Sequence, residues 1–136
     1  MMLHPAVTIH GQEEARRALA PGLPVVLLSA PGAGAWAGAL WWRRLIDLLH
    51  VEFPGVSFAD LLDCGDSPGA ALAALRTGCR ALVLARAVPA WPAVDALART
   101  LGAELQALRP ESLDLAMPGA ERRLASWLRD THGQLE

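Results

Sequence analysis

The sequence predicts a three-layer α/β/α domain on a mostly parallel sheet of about five strands, with an extra helix at the carboxyl end. Three observations point there. Short apolar runs of strand length alternate with longer runs of helical apolar spacing nearly from end to end. Two of the short runs, 24–29 and 80–85, are apolar on both faces, as strands covered on both sides must be. Pro-Gly pairs and single glycines punctuate the boundaries. Strand–helix–strand connections cross over with a right hand, which makes the strands parallel and places helices on both faces.

"AVTIH" (6–10) is a strand with Thr8 and His10 on one side, and "QEEARRALA" (12–20) sets Ala15, Ala18 and Leu19 at helical spacing before Pro21-Gly22 stops it. "PVVLLS" (24–29) follows as a central strand. A long helix is expected from Ala35 to Phe53, with Trp36, Leu40, Trp41, Leu45, Leu48 and Leu49 on a broad face and Pro54-Gly55 at its end. "VSFADLL" (56–62) reads as the next strand. After the turn "DCGDSPG" (63–69), Ser67 and Pro68 form an N-cap and first-turn pair for a short helix closed by Gly78.

"RALVLA" (80–85) is a second central strand, an inner neighbour of 24–29. "AWPAVDALARTL" (90–101) supplies a helix with Val94, Leu97, Ala98 and Leu101 inward and Gly102 at C′. "AELQAL" (103–108) is a strand towards an edge of the sheet, and 109–119 is a connecting segment. "AERRLASWLRD" (120–130) is a final amphipathic helix with the stripe Leu124, Trp127 and Leu128. The position of 6–10 in the sheet is left open. At fold level the pattern resembles flavodoxin-like and Rossmann-like domains, a likeness that leaves function open.

The 136 residues, 53% of them hydrophobic, match one ordinary domain spanning 1–136, with flexible ends expected at 1–5 and 131–136. A formal net charge of −2 offers no field to draw in nucleic acid or an anionic membrane surface. All twelve basic residues are Arg, which excludes chemistry that needs an ε-amino group. Cys64 and Cys79 are too few for a disulfide framework, and no Cys/His cluster has zinc-site spacing. Asp63 and Asp66 offer a pair of carboxylates for Mg²⁺ or acid–base work, but Asp66 has a simpler use as turn-former or cap before Ser67-Pro68, so no metal is expected. The first residues lack a basic region followed by an apolar run, and no apolar stretch approaches the roughly 18 residues of a membrane span. These features together predict a soluble cytoplasmic protein.

In a parallel sheet, ligands collect beyond the carboxyl ends of the strands. That edge gathers His10, Ser29 to Gly34, Asp63 to Ser67, and Arg86. Gly32, Gly34 and Ala37 have the permissive spacing of a dinucleotide turn, but the supporting acid expected about 20 residues later is displaced to Asp63. The turn is then either an anion cradle or a tight corner between strand and helix. No cofactor is required by the sequence, and a nucleotide is the one candidate. The ligand-binding set is Ser29, Gly32, Gly34, Asp63, Asp66, Ser67 and Arg86, with Arg86 facing an anion or pairing with Asp63 or Asp66.

Cys64, just before a helix start, is a candidate nucleophile, with Asp63 as a second catalytic candidate. His10 serves as base only if its strand lies beside 56–62. The flanking Asp63 and Asp66 work against a thiolate. No complete catalytic set is present. Trp41 and Trp42, about 100° apart on one helix, cannot both face the same core. One of them together with Trp127 marks a homo-oligomer surface, unless Trp127 covers it. Three readings follow: a domain binding a small anionic or phosphate-bearing ligand, a Cys- or Asp-dependent enzyme, and a non-catalytic homo-oligomeric interaction module.

Overall fold

The computed structural model describes residues 4–130, so the expected flexible ends fall outside it except for His4 and Pro5. The elements in chain order are β1 (Ala6–Ile9), α1 (Gln12–Leu19), β2 (Val25–Ser29), α2 (Ala33–Trp36), α3 (Ala39–Glu52), β3 (Phe58–Asp63), α4 (Pro68–Thr77), β4 (Ala81–Val83), α5 (Trp91–Thr100), β5 (Glu104–Gln106), β6 (Ser112–Asp114) and α6 (Ala120–Asp130). The α/β class, the parallel sheet and the additional C-terminal helix are those the sequence predicts. The sheet has six strands, all parallel, in the order β5-β4-β3-β2-β1-β6. Among the described residues, no helix is long and apolar enough to cross a membrane.

Strands β1 to β5 lie side by side in chain order, and the chain then returns to place β6 beside β1. Buried residues of α1, α3, α4, α5 and α6 meet one alternate set of strand residues, among them Val7, Ile9, Leu27, Leu62, Leu82 and Leu113, in the main core. The other set, Ala6, Val26, Leu28, Leu61, Ala81 and Val83 with Ala59, forms a second core. Both faces of the sheet are therefore dry, which is why β2 and β4 read as doubly apolar.

The connection from β5 to β6 sets the curvature. Laid flat, six strands would hold their outer edges about 24 Å apart. The stretch from Gln106 to Ser112 reaches about 21 Å when fully extended. The sheet must curl, and the curl brings the strand residues of the second core against one another. Three alanines among them suit a narrow interior.

Five local expectations need correction. Of the residues expected inward along α5 and at its C-cap, Val94 and Ala98 are buried but Leu97 and Leu101 are exposed. The long helix is split into α2 and α3 because Gly38 adopts φ 93°, a left-handed conformation that interrupts the helical run. The segment 109–119 contains β6, whose Ser112 and Leu113 register with Ala6 and Val7. Both β2 and β4 are internal, but β3 separates them. Pro5, assigned to a flexible end, is buried and its carbonyl accepts from Val26 N at 2.9 Å. The α4 cap is as expected: Ala70 N donates to Ser67 Oγ at 3.0 Å, and Gly78 ends the helix at φ 93°.

Candidate functional site

The carboxyl edge brings the glycine turn and the acidic-thiol turn into direct contact. Gly32 opens α2 at φ 71°. Gly34 then lies so close to β3 that a Cβ there would stand 2.9 Å from Cys64 Sγ and 3.2 Å from the Asp63 carbonyl. The spacing of the two glycines serves the turn and this close approach. The helix they introduce has one turn only.

Asp63 is buried and both its carboxylate oxygens are engaged. Oδ1 accepts from Gly65 N at 2.7 Å, closing the tight turn after β3, while Oδ2 accepts from Arg109 Nη1 at 2.7 Å. The same Nη1 donates to the Ser29 carbonyl at 3.0 Å, and Nη2 donates to Thr8 Oγ1 at 3.1 Å. Thr8 Oγ1 in turn lies 2.7 Å from Ser112 Oγ. One guanidinium on the β5–β6 connection thus ties together the ends of β1, β2 and β3. Ser29 Oγ accepts from Asp63 N at 2.9 Å and donates to the Ala30 carbonyl at 3.0 Å, so its hydroxyl is also used within the fold.

Arg109, Thr8 and Ser112 belong to this centre and were not among the sequence candidates. Thr8 carries a local signal, a hydroxyl in an otherwise apolar buried strand. Arg109 carries none, because its place depends on the pairing of β6 with β1.

Arg86 does not pair with Asp63: its guanidinium carbon stands 4.4 Å from the centroid of the Trp91 ring. That face-on position gives a cation–π contact. Asp66 and Pro68 line a cavity of about 360 Å³ together with Ala85, Val88 and Pro89, between the loops after β3 and β4. Ser67 spends its hydroxyl on the α4 cap.

Cys64 is buried, and burial pushes its thiol up to about 12, with Cys79 and Asp63 adding to the effect. At neutral pH it is a protonated thiol, the opposite of an activated nucleophile. His10 sits at the end of β1, and β2 lies between β1 and β3. Its Nδ1 is 2.9 Å from Glu14 Oε1 and 3.7 Å from Asp114 Oδ1. The adjacency that a His10–Cys64 pair required is not met. Among the described residues, no group of three metal-ligating side chains converges.

A second surface stands out on α2 and α3. Trp42 is fully buried and donates Nε1 to Asp60 Oδ2 at 2.9 Å, while Trp41 is half-buried. Trp127 donates Nε1 to the Ala6 carbonyl at 2.8 Å, which anchors it to β1. On the outer side of α3, Leu40 is 56% exposed, Leu48 42% and Val51 77%, and Trp36 of α2 is 68% exposed. Ala37, Leu40, Trp41, Arg44 and Leu48 line a groove of about 630 Å³ along this side.

Comparison with protein-family models finds none that matches the chain, and comparison with curated proteins finds no match.

Proposed function

We propose that the protein is a non-catalytic interaction module that self-associates through the apolar face of α2 and α3. One observation carries this reading: Leu40, Leu48 and Val51 stand exposed along one side of α3, and Leu40 and Leu48 line a groove there. Exposed apolar side chains gathered beside a groove and rimmed by charged ones mark contact sites for other proteins. The carboxyl edge argues the other way, since its acid is paired, its thiol is protonated and its glycines are packed. A cytoplasmic setting belongs to the same reading, because the free, buried thiols Cys64 and Cys79 suit a reducing compartment.

Light scattering tests the proposal. The wild-type protein should be a dimer, and Leu40→Glu should be a monomer with an unchanged far-ultraviolet spectrum. A wild-type monomer up to high micromolar concentration would overturn it.

A second reading, a small anionic ligand at the carboxyl edge, draws on the cavity between the Asp66–Pro68 and Ala85–Pro89 loops, the second of which carries Arg86. Its size falls within the roughly 300–1,000 Å³ of small-molecule sites. Inorganic phosphate or adenosine monophosphate should then raise Tm, because a ligand bound only to the folded state stabilises it. An unchanged Tm at millimolar ligand counts against this reading.

A further inference from the structure

The outer face of α3 has a two-fold pattern. At about 100° per residue, Leu40, Arg44, Asp47 and Val51 fall within a sector of about 60° on the helix. The intervals between them are four, three and four residues, so the stripe reads the same from either end. Its chemistry does not: the outer positions are apolar, and the inner two carry opposite charges. All four side chains are exposed.

Arg44 sits mid-stripe and has no hydrogen-bond or ion-pair partner among the described residues. It lines the apolar groove, so an occupant of that groove must bring a carboxylate to it or leave a cation poorly solvated. Asp47 accepts from Arg43 Nη2 through Oδ1 at 2.7 Å and remains 62% exposed. It keeps Oδ2 for a second partner.

We propose that the partner at this face is a second copy of the chain, with the two α3 helices antiparallel and related by a two-fold axis near residues 45 and 46. This rests on the self-association argued above and specifies its geometry. In an isologous contact, if residue i meets residue j then j meets i. A two-fold axis at that point sets Leu40 against Val51 and Arg44 against Asp47, each twice. The four–three–four spacing is that of a single apolar seam between two helices. Parallel pairing would set Arg44 on Arg44 and Asp47 on Asp47, so the charges select the antiparallel arrangement. Leu48, on the groove side, extends the apolar border of the seam.

Charge reversal tests the register separately from self-association. Sedimentation equilibrium of Arg44→Asp alone, or of Asp47→Arg alone, should show dimer dissociation constants raised about tenfold or more, since each variant sets like charges together twice. The double variant should recover wild-type affinity. Mixing the two single variants should also recover it, because in the mixed dimer both inner pairs are again of opposite sign. Circular dichroism checks that each exposed substitution leaves the fold intact. A wild-type dimer indifferent to either reversal overturns the register but leaves self-association standing. A wild-type monomer overturns both.

Discussion

Arg109 and Asp63 meet at 2.7 Å across the carboxyl edge, and that contact fastens the β5–β6 connection to the end of β3. The pair stands where the chain makes its longest return, from one edge of the curled sheet to the other. A cation held there by Asp63, the Ser29 carbonyl and Thr8 secures the return. Its chemistry is that of a clasp.

Removing one member of the pair should cost more than removing both. Arg109→Met leaves Asp63 buried with an unmatched charge and is expected to lower unfolding stability by about 3 kcal/mol. Adding Asp63→Asn to that variant should recover part of the loss. Urea unfolding of both single variants and the double variant measures the difference, and a loss in the double variant equal to the sum of the single losses would show that the two groups act independently.

Gly34→Ala should destabilise the protein although alanine favours helices. The new Cβ would stand 2.9 Å from Cys64 Sγ and 3.2 Å from the Asp63 carbonyl, and the backbone carbonyl cannot swing aside. Overpacking of this kind costs about 1–3 kcal/mol. Gly69→Ala in the first turn of α4 is the control: its nearest neighbour would be Ser67 Oγ at 3.9 Å, and a gain of about 0.5 kcal/mol is expected. Thermal or urea unfolding distinguishes the two signs.

The thiols should be inert in the folded protein. Burial pushes Cys64 up to about 12 and Cys79 up to about 11, against 9.0 for a free thiol. Iodoacetamide at pH 7.5 should alkylate both cysteines only after unfolding, and faster labelling of Cys64 than of Cys79 in the native state would contradict this. The linkage has a definite sign. Folded thiols hold their protons more tightly than unfolded ones, so stability falls as pH rises above about 9 and continues to fall towards the folded values.

Asp60 should behave in the same sense at lower pH. Burial raises its carboxyl above 3.8, while the Trp42 hydrogen bond and then Arg43 pull it back. The folded state therefore binds the proton more tightly, and this contribution to stability is present below pH 3.8 and lost as pH rises through the folded value. Asp60→Asn keeps an acceptor for Trp42 Nε1 without the buried charge. It should be more stable than wild type at pH 7, and the advantage should vanish below pH 3.8. Urea midpoints across that range provide the measurement.

The parts of the fold written in local chemistry were legible. Ser67 and Pro68 announce the start of α4, Gly78 its end, and the doubly apolar runs β2 and β4 announce a sheet buried on both faces. That the Gly34 and Cys64 turns share one rim follows from placing both at the carboxyl ends of parallel strands, whereas their direct contact depends on β3 lying beside β2. Features that depend on long-range pairing left no local trace. The three residues of β6 are too few to show a period, and only its seat beside β1 makes it a strand. Arg109 becomes the central cation of the rim because that seat brings the connection across the strand ends, whereas Arg86, the cation the sequence offers, turns onto Trp91. The break at Gly38 was hidden by the apolar residues on both sides of it.

The interaction surface is tested most directly by hydrogen exchange at two protein concentrations. Amide exchange across 33–52 should slow as the concentration rises from low to high micromolar, while α5 and α6 exchange at the same rate throughout. Exchange independent of concentration along α2 and α3, or protection that appears on another face, would contradict self-association through these helices.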